Sequence, residues 1–91
     1  MEGMNMEMRD IDKTMKISST ELNSLEVKTI ITRVYRALEE KGYSPISQIV
    51  GYIMSGDPSY ITSYDEARTL IRKLERDDIL EEFVRFYVEN I

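Results

Sequence analysis

Residues 42–60 read GYSPISQIVGYIMSGDPSY and hold three of the chain's four glycines and both of its prolines. The Gly-Asp-Pro-Ser tetrapeptide at 56–59 is of a kind that can wrap a phosphate or a metal. It matches neither the P-loop, which needs Gly-Lys-Ser/Thr, nor an EF-hand loop, which needs acidic residues at alternating positions closed by a glutamate. Helix punctuation accounts for the stretch better. Gly42 suits the left-handed position that ends a helix after Glu39, Glu40 and Lys41. Ser44 is an N-cap, and Pro45 takes the first helical position, where a missing N–H costs nothing because that donor has no intrahelical partner. Ile46, Ile49, Val50 and Ile53 then form one apolar stripe, which Tyr52 and Met54 widen. Gly56 and Pro58 close the helix. Gly51 falls mid-helix at a cost of about 1 kcal/mol relative to alanine, so it predicts close approach of another backbone.

Upstream, Asn23 and Glu26 form a capping box, and Val27, Ile30, Ile31, Val34, Tyr35 and Leu38 follow at helical spacing. The segment before it, residues 1–23, has mixed charge and no sustained apolar period, and Met4, Met6, Met8 and Met15 share no helical face, so a flexible tail is expected. Downstream, Ser63 and Glu66 make a second capping box, and Ala67, Leu70, Ile71 and Leu74 set the face of a helix near 64–76. Asp77 or Asp78 caps a fourth helix, with Ile79, Leu80, Phe83, Val84 and Tyr87 inward and Glu81, Glu82, Arg85 and Glu89 outward. The junction at 76–78 has no Gly or Pro, which leaves open a single kinked rod. No segment has a period of two. The expectation is an all-α chain, a flexible tail over 1–23 followed by a small four-helix domain over 24–91.

Ninety-one residues leave room for one small core. Helical domains of this size without disulfides or metals commonly gain burial by oligomerising. A homodimer, intertwined or face to face, is expected, with Ile46, Ile49, Val50, Gly51 and Ile53 at or beside the interface. The alternative is that the apolar stripe is core of a single chain.

Composition narrows the chemistry. The chain has neither cysteine nor histidine, which removes thiol nucleophiles, thiolate metal sites and the usual neutral-pH acid/base. An enzyme is not expected, nor a cofactor or metal. Seventeen acidic against twelve basic residues give a net charge of −5, which repels nucleic-acid phosphate. A helix-turn-helix reading of the last two helices fails because the final one carries Glu81, Glu82 and Glu89. No apolar run approaches a membrane span, so the chain reads as soluble and cytoplasmic.

Two features remain as candidate sites. Arg68, Arg72 and Arg76 recur every four residues along helix three, a row that can bind carboxylate or phosphate bidentately. Ion pairing with Glu81 or Glu82, or plain solvation, is the structural alternative. In the tail, Thr14 lies in Ile11-Asp12-Lys13-Thr14-Met15-Lys16-Ile17, a hydroxyl in accessible chain where phosphate adds nearly two negative charges. Spacing alone does not separate it from Ser18, Ser19 and Thr20.

The run LEEKGYSPISQIVGYIMSGDPSYI at 38–61, followed by ARTLIRKLERDDILEEFVRFYV at 67–88, resembles the IreB family of small regulatory phosphoproteins from Gram-positive bacteria. The resemblance implies an all-helical homodimer with an N-terminal arm, phosphorylated on tail threonine by a membrane-anchored Ser/Thr kinase bearing extracellular PASTA repeats. It also implies a role in the cell-envelope stress response through a downstream protein that the sequence does not name. Similar proteins show two tail threonines three residues apart, the second followed by an apolar and a basic residue. Thr14-Met15-Lys16 fits the second position, and Ile11 occupies the first, so dual modification at those positions is excluded. The arginine row is then a docking site for the modified tail on its own helical body. The competing expectation is a constitutive scaffold or adaptor without phospho-regulation.

Overall fold

The structure is a computed structural model that describes residues 19–91. It contains four α-helices: α1 (Ser19–Glu40), α2 (Pro45–Ser55), α3 (Ala67–Ile71) and α4 (Arg76–Glu89). Single 3-10 turns at Pro58–Tyr60 and Tyr64–Glu66 carry the chain from α2 to α3. Among the described residues the fold is all-α, as expected.

The long α1 is the platform on which the others pack. Val27, Ile30, Val34, Ala37 and Leu38 are buried along it at helical spacing, whereas Tyr35 lies off the stripe and is exposed. The helix already runs from Ser19, the first described residue, so Asn23 is inside it rather than its cap. A capping box permits a start without enforcing one, and no Gly or Pro between Ser19 and Lys41 interrupts helical hydrogen bonding. At the other end Gly42, at φ 84°, closes α1. Tyr43 N–H donates to the Leu38 carbonyl at 2.9 Å and Gly42 N–H to that of Glu39 at 3.0 Å, the paired bonds of a Schellman motif.

Around α1 gather Ile49 and Tyr52 of α2, Ile61 of the connecting segment, Ala67 and Ile71 of α3, and Ile79 of α4. Leu38, Ile61, Ile71 and Ile79 are fully buried. Burying such a side chain is worth roughly 1.5–3 kcal/mol. Ile61 is therefore an anchor, although it lies in no helix.

The third helix departs from expectation. The proposed box at Ser63 and Glu66 does not form: Ser63 makes no side-chain cap bond, and Asp65 and Glu66 adopt left-handed conformations, at φ 54° and 60°. Two consecutive non-glycine residues in this region are unfavourable. The compensation is visible at Asp65, whose carboxylate takes a fork of two bonds at 3.1 Å from Arg33 of α1. That fork holds the Asp65 pKa below the usual carboxylate range and raises that of Arg33.

Helix α3 then ends at Ile71, because Lys73 and Leu74 donate to the Leu70 and Ile71 carbonyls in tighter i→i+3 bonds. Glu75 is extended and precedes the first residue of α4. Helices α3 and α4 are thus separate, and Asp77 and Asp78 occupy the first turn of α4 instead of capping it. Their charges suit the positive end of the helix dipole.

In α4 the inward face is also displaced. Ile79 is buried and Phe83 packs beside the core, but Leu80, Val84 and Tyr87 are exposed, while Glu82, expected outward, is buried. Successive helical residues are about 100° apart, so burying the 79–82–83 side turns the 80–84–87 side away. The helix carries two apolar stripes, and the chain's own core uses one.

Candidate functional site

The Gly-Asp-Pro-Ser turn is structural. Gly56, at φ 76°, donates its N–H to the Tyr52 carbonyl at 2.7 Å. The Asp57 carboxylate accepts the Ser59 N–H at 2.9 Å, a bond that lowers its pKa. Among the described residues no cluster of three or more ligating side chains suits a metal ion.

Helix breaks reorganise the arginine row. Arg68 lies in α3, Arg72 just after its last residue and Arg76 at the first position of α4, so the three do not share one helix. Arg68 Nε donates to the Ile61 carbonyl at 2.8 Å and Arg76 Nη1 to the Ile53 carbonyl at 3.0 Å. Each guanidinium satisfies a backbone acceptor that no helix satisfies, at a segment end where such groups accumulate. Arg72 is exposed. Ion pairs among the described residues link Arg33 to Asp65 and Arg85 to both Glu81 and Glu82, so Glu81 and Glu82 are engaged from within their own helix.

The α2 stripe divides in two. Ile49 is buried in the chain's own core, as is Tyr52, and Ile53 is half-buried beside it. Ile46, Val50 and Met54, spaced i, i+4, i+8, are exposed, Met54 at 78%. Ile53 also meets Leu80 of α4 around one shallow depression, which joins the exposed stripe of α2 to that of α4. Glu75, Arg76 and Asp77 line the same depression, so the two exposed apolar stripes meet there across charged side chains.

Gly51 does not face another backbone within the chain. A Cβ there would lie 2.5 Å from Cδ1 and Cε1 of Tyr60, so the missing side chain makes room for an aromatic ring. Gln48 Nε2, donating to the Tyr60 carbonyl at 2.9 Å, holds that turn against α2. Sequence reasoning found the close approach and not the neighbour. Helical spacing says where a side chain would point, not what fills the space from nine residues away.

A second apolar feature went unread in the sequence. Between α1 and α4 runs an open groove of about 690 Å³ lined by Val27, Ile31, Phe83, Phe86, Tyr87 and Ile91. It continues into a polar end, where Asn23 and Ser24 meet Asp78, Glu81, Glu82 and Arg85. The signal was Phe86 and Ile91, apolar residues that carry the core-facing side of α4 past Phe83 toward the chain end.

Thr14, Ile11 and the rest of the tail through 18 lie outside the described residues. Among the described residues no helix is long and apolar enough to cross a membrane. Comparison with known proteins extends further along the chain. Residues 12–89 match a family described as IreB regulatory phosphoprotein. A UPF0297 protein of Ruminiclostridium cellulolyticum is 52% identical over 80 residues, covering 88% of this chain and 91% of the relative.

Proposed function

Because the chain belongs to the IreB regulatory phosphoprotein family, we propose that it is a non-enzymatic regulator whose tail is phosphorylated at Thr14 by a PASTA-type Ser/Thr kinase. The observation that carries this reading is the extent of the family match, which begins at residue 12 and so takes in Thr14. The signal passes to a downstream protein in cell-envelope stress signalling, from the cytoplasm. The surfaces support a protein that works by contact. They are exposed apolar stripes beside charged side chains, and they suit protein partners better than a small substrate.

The working unit in this reading is a homodimer. Ile46, Val50 and Ile53 of α2, continued by Leu80 and Val84 of α4, supply its interface, with Ile49 and Gly51 shaping the helix from beneath. An isologous contact places the same patch of both chains face to face. For the modified tail, Arg72 is the receiving group, with Arg68 and Arg76 beside it in sequence but already donating to carbonyls. Phosphate accepts charge-assisted bonds from guanidinium, and the modified tail gains nearly two negative charges.

The test is incubation of the full chain with the cognate kinase domain, followed by mapping of phosphate by mass spectrometry. Phosphate at Thr14 is expected. A chain that remains unmodified there is a constitutive scaffold or adaptor, and the regulatory reading fails.

A further inference from the structure

We propose that the groove between α1 and α4 is the seat of the chain's own unmodified tail, and that phosphate on Thr14 ejects it. The second half rests on the reading that Thr14 is the modified residue, and the first does not.

The groove's walls favour an apolar occupant. Ile31, Phe83, Phe86, Tyr87 and Ile91 open onto it, and Phe86, Tyr87 and Ile91 are exposed. Three side chains of this size in one place on a small body leave a patch that association or an intramolecular segment covers. The polar end carries three carboxylates, Asp78, Glu81 and Glu82, against the single guanidinium of Arg85. An occupant therefore needs apolar side chains for the groove and cations for this end.

Reach selects the tail. Eighteen residues precede Ser19, the first described residue of α1. A helix rises about 1.5 Å per residue, which puts Ser24 about 8 Å and Ile31 about 18 Å along α1. Extended chain advances about 3.3 Å per residue. If about three residues are spent reversing direction before Ser19, Thr14 arrives about 7 Å along α1 and Ile11 about 17 Å. Thr14 is then level with Asn23 and Ser24 at the acidic end, and Ile11 is level with Ile31 in the groove.

Sequence supplies the required side chains at those places. Met8 and Ile11 reach the groove, and methionine adapts to irregular apolar space. Lys13 and Lys16 flank Thr14 and outweigh Asp12, so residues 12–16 bring one net positive charge to Asp78, Glu81 and Glu82. An unmodified hydroxyl is tolerated there. A phosphate sets nearly two negative charges against three carboxylates, and like charges at that range repel. The modified tail leaves, and the groove opens at the same moment as a phosphate becomes available to Arg72.

The chain has no cysteine, so one introduced thiol carries one label. A nitroxide on a Glu7→Cys variant of the full, 15N-labelled chain is expected to attenuate the amide signals of Ile31, Phe86 and Ile91 at least two-fold. The attenuation is expected to disappear on adding Thr14→Glu or Phe86→Asp, the latter at an exposed position. Unattenuated groove signals, or attenuation centred on Arg72 in the unmodified chain, overturn the proposal. Equal attenuation when the label sits only on 14N chains mixed with unlabelled 15N chains overturns it too, since a second copy is then the occupant. Persistence after Thr14→Glu removes the ejection step. Phosphate mapping is independent: failure to modify Thr14 would end the kinase reading without changing the nitroxide result.

Discussion

Replacing Gly51 by alanine sets two opposing effects against each other at one atom. Alanine in a helix interior is favoured over glycine by about 1 kcal/mol, so the substitution should stabilise α2 if nothing stands in the way. The new Cβ, however, would lie 2.5 Å from two carbons of the Tyr60 ring and 3.0 Å from a third. Carbon atoms rest at about 3.5–4.0 Å, so the ring must retreat by about 1 Å or more. The crowded atoms lie along its edge, and a retreat moves the whole ring away from α2 and strains the Gln48 bond to the Tyr60 carbonyl. Overpacking costs about 1–3 kcal/mol in a well-packed core. Tyr60 is exposed on its outer side, but the Gln48 bond ties its backbone to α2, and a penalty within that range outweighs the helical gain. Gly51→Ala should therefore destabilise the parent chain by about 1 kcal/mol, a fall of roughly 4–8 °C in Tm for a domain this small. In a Tyr60→Ala background the obstacle is gone, and the same substitution should raise stability by about 1 kcal/mol. The reversal of sign, a coupling of about 2 kcal/mol, is the result to seek in urea unfolding of the four proteins at one matched concentration. A Gly51→Ala penalty of equal size with and without Tyr60 would refute the reasoning and restore a neighbour from another chain.

Other perturbations have equally definite outcomes. Glu66 holds φ 60° and makes no cap bond, so Glu66→Gly should raise stability by about 1 kcal/mol in thermal unfolding; a decrease would mean that the Glu66 side chain contributes more than its backbone costs. The Asp65 pKa is lower folded than unfolded, so its contribution is complete above an unfolded value of roughly 3.9 and is lost as pH falls through the lowered folded value. Unfolding midpoints of the parent and of Asp65→Asn should accordingly converge in acid, and a difference that grows below that pH would contradict the Arg33 fork. Val50→Glu and Val84→Glu lie on exposed positions and should leave helix content unchanged while returning a single-chain mass by light scattering at micromolar concentration. A parent chain that already shows single-chain mass would remove the homodimer.

What was legible in the sequence was what short-range chemistry decides. The bounds of α2 follow from Pro45 and Gly56, each acting through its own backbone, and the Gly42 closure of α1 is of the same kind. Ser44 holds the N-cap position but makes no side-chain cap bond, its hydroxyl donating to Ser47 Oγ at 3.3 Å instead. The bounds of α3 are set differently. A fork from Arg33, thirty-two residues away, fixes Asp65, and the local capping box loses to it. The arginine row failed as a row for the same reason, since its spacing presumed a helix that the turn after Ile71 interrupts. In α4 the apolar residues at 79, 80, 83, 84, 86, 87 and 88 circle more than half of the helix. Periodicity then identifies a helix and leaves its rotation undetermined, which is why Glu82 was read as outward and Leu80 as inward. The groove could be found only after that rotation was known. Thr14 was singled out by resemblance and not by any physical signal in its own surroundings.

The five residues of α3 are too few to form a helix alone, because the first turn is unfavourable until later turns reward it. Its order is borrowed from α1, against which Ala67 and Ile71 are buried, and from the Arg33 fork at its entrance. In native-state hydrogen exchange, α3 should open as one unit with the 3-10 turn before it, ahead of α1 and α2. Arg72 hangs from the end of that unit. Loosening the fork should therefore free the entry of α3 first, and with it the short helix whose end carries Arg72.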